Sequence, residues 1–372
     1  MEPYAYGDIK SLTVKSTFEG HKGWIRSLKF PPDGKMIATG SYDKTVHLWN
    51  VISEDHNQVS LEHKDYVWSV NFSPDGKSLA SGSSDKTARI WDIDSGRVIH
   101  TLTGYKNWIC SVCFSPDGKI LATGSYDKTV CLWDVNSGTA LHTYKGHQGK
   151  VWAVTFSPYE DIIASASADR TIHLWDKNKT IKILDNHKGS VMSLCFSPIN
   201  KRILASGSVD QTIRIWDIAN GKTIRLLEGH KGEIWSVTFS HDGKMLAGAS
   251  ADQTVRIWDV KTGEYIELYD HLGPVSSVKF APNMKYPVTT GAAGRLEFWD
   301  FEKKKPFLYR YCFEPGAWLD LLPNGYFNAS PEGIRYLCYT EKGTLNSYSA
   351  EELIKVFFNP EEVRETIKKY IS

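Results

Sequence analysis

The stretch WICSVCFSPDGKILATGSYDKTVCLWD, residues 108–134, decides the fold. Trp108 to Phe114 reads as a strand ending on an aromatic residue. Ser115-Pro-Asp-Gly-Lys119 is a hairpin turn: Pro presets φ, Asp caps the turn and Gly takes the left-handed position. Ile120 to Ser125 is a second strand of small residues, Tyr126-Asp127-Lys128 turns the chain again, and Thr129 to Trp133 is a third strand. A turn over Asp134 to Gly138 leads to a fourth, Thr139 to Tyr144. The ending recurs along the chain at Trp49, Trp91, Trp133, Trp175, Trp216, Trp258 and Trp299, each followed by Asp or Asn, at spacings of 42, 42, 42, 41, 42 and 41 residues.

A unit of this length cannot bury both faces of its own sheet, so it must stack on its neighbours. Four short antiparallel strands with turns between them match one blade of a propeller. With the repeated Trp-Asp ending, residues 11–300 resemble a WD40 repeat protein. The resemblance implies a closed all-β propeller. It also implies a hydrogen-bonded tetrad in each blade, joining an entry-loop His, a hydroxyl on the second strand, the Asp of the next turn and the Trp indole. The complete sets are His21, Thr39, Asp43 and Trp49; His63, Ser81, Asp85 and Trp91; His147, Ser165, Asp169 and Trp175; and His187, Ser206, Asp210 and Trp216. Unit 3 has Tyr105 where His is expected, unit 6 has Gly248 at the hydroxyl position, and unit 7 has Ala293 for Asp.

A Ser, a His and an Asp within reach of one another also describe a hydrolase triad. Here the set recurs, its Asp anchors a tight turn, and neither a nucleophile elbow nor an oxyanion hole accompanies it. Its role is to satisfy buried polar atoms, each bond contributing about 1 kcal/mol net and each orphaned group costing roughly 1–3 kcal/mol. Gly221-Lys-Thr223 fails as a phosphate loop because Trp216 occupies the first Gly position. Cys110 and Cys113 form a C-x-x-C without a second pair, and strand alternation places them on opposite faces. The expectation is a chain that is not an enzyme and needs neither metal nor cofactor. A formal charge of +1 gives no global bias toward nucleic acid or anionic membrane. With no apolar leader over Met1 to Lys10 and no run long enough to span a bilayer, the chain reads as cytoplasmic.

The seven signatures end at Asp300, and 72 residues follow. Pro306 to Phe313 reads as the outer strand of blade 7. Gly316 to Leu322, Tyr326 to Ser330 and Ile334 to Tyr339 then read as three strands of a degenerate eighth blade, completed by the N-terminal strand. Register thus favours seven clear blades within 11–313 plus an eighth over 314–348, closed by residues 12–18. With seven blades only, 306–348 would be an appended subdomain. The run from Gly316 to Gly333 is also similar to a tail that follows propellers of bacterial WD40 proteins. Residues 349–372 form a helical extension: Ser349-Ala-Glu-Glu352 is a capping box, and Asn359-Pro360-Glu361-Glu362 starts a second helix with Val363, Ile367 and Ile371 on one face.

Comparing the units separates packing from freedom. Four residues after the entry position every unit has Ile or Val, at seven Leu or Val, and at nine Phe, so these are core positions. The residues three and five after it vary, as does the one before the tetrad Asp. These positions hold Trp24, Arg26, Tyr42, Tyr66, Trp68, Trp108, Tyr126, Lys150, Trp152, Met192, Glu233 and Trp235. The resemblance places them around the top mouth of the central channel, where partners bind. Aromatic residues at such a mouth suit the anchoring of a peptide; their alternative role is to fill the channel. Lys22, Lys64, Lys106, Lys188 and Lys231, with Lys44, Lys86, Lys128 and Arg170, lie on the same side. The function expected is a monomeric, non-catalytic interaction scaffold that takes a protein or peptide, acidic or phosphorylated, on an aromatic and basic top face. The competing reading is a single-stranded nucleic-acid or other polyanion binder using that face.

Overall fold

A computed structural model describes residues 12–13, 21–51, 59–176, 179–269, 271–282, 286–314, 317–335, 339–341, 347–348 and 350–371. Seven antiparallel sheets follow one another around a ring. Blade 1 is typical, with strands a to d at Ile25–Lys29, Met36–Ser41, Thr45–Asn50 and Val59–Glu62 paired in sequence order. Strand a is innermost and strand d lies on the circumference. Each sheet buries its faces against the next. Val46 and Leu48 of blade 1 share a core with Val67, Val70 and Trp91 of blade 2, and the same arrangement continues around the ring.

The ring closes at seven. Leu28, Ile37 and Trp49 of blade 1 pack directly on Val288, Leu296 and Phe298 of blade 7, and the Ser276 hydroxyl donates to the Ile25 carbonyl across the seam. The eighth blade expected from register is therefore corrected. Ala317–Leu321 and Phe327–Ala329 are strands, but they extend the blade 7 sheet to six by pairing outside Lys305–Glu314. Pro331–Ile334 is a helical turn capped by Ser330. Of the expected N-terminal strand, 14–18 lie outside the described residues. Leu12–Thr13 pair with Thr340 and Glu341 in a separate small sheet. The physical reason is that blade 1 already covers the face of blade 7 that an eighth blade would need.

The C-terminal segment straps the seam instead. Helix Ala350–Phe357 buries Leu353 and Phe357 against Leu319 and Phe327. Helix Pro360–Ile371, whose first turn is capped by the Asn359 side chain accepting from the Glu362 amide at 3.1 Å, inserts Val363 into the core shared by blades 1 and 7. Ser349 of the capping box lies outside the described residues. Beneath the strap, fully buried Arg310 meets Asp320 through two bonds of 2.7 and 2.8 Å and donates to the Asn50 carbonyl of blade 1 at 2.8 Å. Among the described residues, no helix is long and apolar enough to cross a membrane.

Inside the blades the tetrads are hydrogen-bonded chains with one direction. In blade 1 the Trp49 indole donates to Thr39 at 2.7 Å, Thr39 meets His21 Nε2 at 2.7 Å, and His21 Nδ1 meets Asp43 at 2.6 Å. A carboxylate facing Nδ1 fixes the proton there and leaves Nε2 to accept from the hydroxyl. Blades 2, 4 and 5 repeat this with His63, Ser81, Asp85 and Trp91, with His147, Ser165, Asp169 and Trp175, and with His187, Ser206, Asp210 and Trp216. In blade 3 the Tyr105 hydroxyl takes the place of the imidazole on Thr123, at 2.6 Å. In blade 6 His230 keeps Asp252 at 2.8 Å, but opposite Gly248 its Nε2 is buried without a partner. In blade 7 Thr289 joins Trp299 to His271. There Arg295 stands where the other six blades have Thr two residues after the Asp, and it bonds Glu297 and Tyr311. The Ser two before each Asp stays out of the chain: Ser41 accepts from the Asp43 amide and donates to the Gly23 carbonyl.

Two blades add a second imidazole. His47 stacks on His21 with ring centroids 4.1 Å apart, and His173 on His147 at 3.9 Å. Both are buried with Nδ1 unpartnered. Burial, then the neighbouring imidazole, pulls His47 well below its ordinary value and His173 down to about 4. Burial alone would raise the tetrad carboxyls, yet bonds from His and Thr hold Asp85 and Asp169 well below the usual carboxylate range.

A His whose folded pKa is depressed takes its proton more readily in the unfolded chain, so its contribution is complete above the unfolded value of about 6.5 and is lost as pH falls. In chemical denaturation the contribution of these imidazoles should therefore be level from pH 8 to 7 and fall between about 6.5 and 4. His173 alone accounts for up to about 3 kcal/mol, and the double variant H47Q/H173Q should reduce that limb, leaving the share of His63, which burial also depresses. A further loss belongs below pH 4, where the carboxylates protonate. At the seam, D320A removes the carboxylate that holds the buried Arg310 charge through two bonds and should cost about 3–5 kcal/mol. The joint change R310M/D320L should cost clearly less in the same measurement.

Candidate functional site: the mouth and bore of the ring

One irregularity, repeated seven times, builds the site. Every strand a carries a β-bulge between the fourth and sixth residues after the entry position, as between Ile25 and Ser27 or Val67 and Ser69. The extra residue resets the side-chain alternation. Ile25 and Leu28 point into the blade interface, while Arg26, Ser27 and Lys29 all line the central channel. The expectation that Cys110 and Cys113 face opposite sides fails for this reason: both line the channel. Burial pushes the Cys110 thiol up to about 12 and raises Cys113 as well, so both are protonated rather than reactive.

At the top mouth the variable positions come together. The Trp24 ring stacks near Tyr42 at 6.3 Å, Tyr42 meets Tyr66 at 4.7 Å and Trp68 at 5.2 Å, and Trp68 meets Trp108 at 5.7 Å and Trp152 at 6.1 Å. Tyr126 lies between Trp108 and Trp152, at 4.8 and 5.8 Å. Trp235 of blade 6 reaches across to Trp24 at 6.2 Å. Eight rings thus form one connected belt. Most are half-buried by one another, and the outermost are Trp24 and Tyr66, 38% and 42% exposed. The belt is lopsided. Blades 5 and 7 bring Ser190, Met192, Val209, Pro274, Ser276 and Ala292 to the same positions.

Arg26 sits inside the belt. Its guanidinium carbon lies 5.3 Å from the Trp68 ring, 5.2 Å from Trp235 and 6.0 Å from Tyr42. Its Nε is buried without a hydrogen-bond partner. Burial disfavours its charge, offset in part by Tyr42, Cys110 and Glu233; Glu233 itself accepts from the Trp235 indole at 2.9 Å. Lys150 caps Tyr126, its ammonium 3.9 Å from the ring centre. The Trp68 indole donates to Ser84 at 2.7 Å, whereas that of Trp152 is buried and unpartnered. Around this mouth the nine rim cations are all exposed. Lys44, Lys86, Lys128 and Arg170 hold left-handed backbone, at φ of 76°, 67°, 77° and 73°.

Below the mouth, a ring of serines contributed by the bulges stitches the blades. Ser27, Ser69, Ser111, Ser193 and Ser236 each accept the backbone N–H of the Val three residues into the next blade's inner strand or its equivalent, at 3.0–3.4 Å. Lys29 and Lys279 lie further down. Comparison of the units at the positions already read as variable does not reach these two. The signal was in the sequence, at the eighth residue after the entry position, where Lys, Asn, Cys and Thr stand between the apolar seventh and ninth positions.

The mouth presents aromatic faces and a cation, Arg26, whose Nε is buried. Among the described residues, His147, Asp169 and His173 bring three metal-ligand atoms within 4.8 Å of one another. Both ring nitrogens of His147 are already engaged by Asp169 and Ser165, so a metal there would have to break the tetrad.

The repeats match the family described as WD domain, G-beta repeat over residues 12–50, 56–92, 96–134, 138–176, 178–217 and 221–259. Single stretches also resemble curated proteins. Identity is 39% over 49 residues with the small ribosomal subunit protein RACK1 of Schizosaccharomyces pombe, covering 13% of this chain and 16% of that one. It is 47% over 47 residues with the transcriptional repressor tup12 of the same yeast, 13% and 8% of the two chains. It is 47% over 45 residues with the POC1 centriolar protein homolog of Drosophila melanogaster, 12% of each. These alignments span less than a fifth of each relative's length. With more than half of its residues inside the matched repeats and seven such sheets closed into a ring, the chain belongs to the WD domain, G-beta repeat family.

Proposed function

We propose that the protein is a non-catalytic interaction scaffold whose top face docks a protein or peptide bearing acidic or phosphorylated groups. The observation that carries this reading is Arg26: a guanidinium held among three aromatic faces, with a buried Nε lacking a partner. A mouth already occupied by its own cation repels Lys and Arg side chains and attracts an anion, while exposed Trp24 and Tyr66 offer apolar anchorage beside it. The rim cations extend the same preference outward and would hasten encounter at low salt. The relatives' names, a ribosomal subunit protein, a transcriptional repressor and a centriolar protein, are not those of enzymes, which agrees with a scaffold.

The test is a peptide array probed with the whole chain. Acidic and phosphorylated peptides should be retained over basic ones. Captured peptides should bind at least about tenfold more weakly to W24A/Y66A and to R26M, with melting temperatures measured alongside to show that the variants fold. Retention of basic peptides, or binding unchanged in both variants, would overturn the proposal. Tight oligonucleotide binding with a steep salt dependence would favour the nucleic-acid reading instead.

A further inference from the structure

The bore beneath the aromatic belt has a charge pattern that the top face does not explain. A cavity of about 130 Å³ runs down it from Arg26 to Lys29 and Lys279. That is room for several waters or one small polyatomic ion. Lys29 and Lys279 come from adjacent blades, 1 and 7; Lys29 is the last residue of its inner strand and Lys279 the last but one. Among the described residues, no Asp or Glu lines this cavity. Two ammonium groups thus share a confined space without a carboxylate, an arrangement whose self-repulsion an anion would relieve.

The hydroxyl ring points to the same ligand class. Ser27, Ser69, Ser111, Ser193 and Ser236 use an oxygen lone pair to accept from a backbone N–H of the neighbouring blade. None of these five hydroxyls donates to a protein acceptor among the described residues, and all five line the cavity. Their protons are available to whatever the bore contains. Two cations below and a circle of O–H donors above suit a ligand that is all acceptor, with oxygens directed several ways.

We propose that the lower bore of the propeller is a binding site for a phosphate-class oxyanion, held between Lys29 and Lys279 and capped by the serine hydroxyls. The site is separate from the top face and does not rest on the role proposed for it. Burial and the neighbouring Lys29 bring Lys279 down to about 7, with the Cys195 thiol the other titratable group acting on it. An arriving anion restores the full charge, so binding near neutrality takes up a proton. The phosphate group has two sources: free inorganic phosphate, or a phosphorylated side chain of a partner entering from below.

Isothermal titration of the full chain at constant ionic strength tests both, with inorganic phosphate in one arm and N-acetyl-phosphoserine amide in the other. Saturable binding in either arm is the expected result. A response to phosphate alone identifies the free ion, and a response to the phosphoserine compound alone identifies the side chain. In both cases K29Q/K279Q should weaken binding at least about tenfold while K279R retains it. W24A/Y66A should leave it unchanged, which separates this site from the one above. Titration in two buffers of different ionisation heat should show proton uptake at pH 7 that K279R abolishes. Absence of binding in both arms, or binding that survives K29Q/K279Q in a variant with an unaltered circular dichroism spectrum, would overturn the assignment.

Discussion

Everything in this molecule depends on each sheet having two apolar faces and only neighbours to cover them. A blade such as Ile25–Lys29 through Val59–Glu62 is stable because blades 2 and 7 lie against it. The constraint admits no free end, so the last blade must meet the first. Burial supplies most of the adhesion at this joint, as at the others. What differs is the strap across it. Arg310, tied to Asp320, reaches the Asn50 carbonyl of the first blade, and Val363 from the final helix enters the same core. The tetrads act at another level. In blades 1, 2, 4 and 5 they let an indole, a hydroxyl, an imidazole and a carboxylate be buried with hydrogen-bond partners, which fixes the turn between strands b and c and therefore the height of the top face.

The repeat and its strands were legible in the sequence because they depend on local chemistry. The Pro-Asp-Gly turns, the small residues of strand b and the Trp at the end of strand c need no knowledge of the whole. Four tetrads could be written down residue by residue, and those contacts appear at 2.6–2.9 Å. The blade count was harder. Residues 317–321 and 327–329 have the composition of strands and are strands, and periodicity does not tell a new sheet from the continuation of an old one. Only the packing of Leu28 on Val288 and Phe298 settles it.

The bore was less legible still, for a definite reason. A bulge is an insertion in the pairing, not in the sequence, so strict alternation assigns Arg26 and Ser27 to opposite faces. The structure turns both toward the axis. Cys110 and Cys113 are misassigned by the same half-step. The sites that vary among blades at the mouth were found without this knowledge because they flank the bulge. The lysines at its far side were not, since their positions become axial only once the alternation has been reset.

The two strands added outside blade 7 also change what the circumference presents. Among the described residues, six blades end on an edge that pairs with no further strand, and several of these edges carry aliphatic side chains, among them Ile99, Leu141, Ile183 and Ile224. The seventh has spent its edge on its own chain. A ring of near-equivalent units is thereby given a zero mark: rotation by one blade no longer superimposes the surface on itself, and any assembly built around the rim has a single azimuth to adopt.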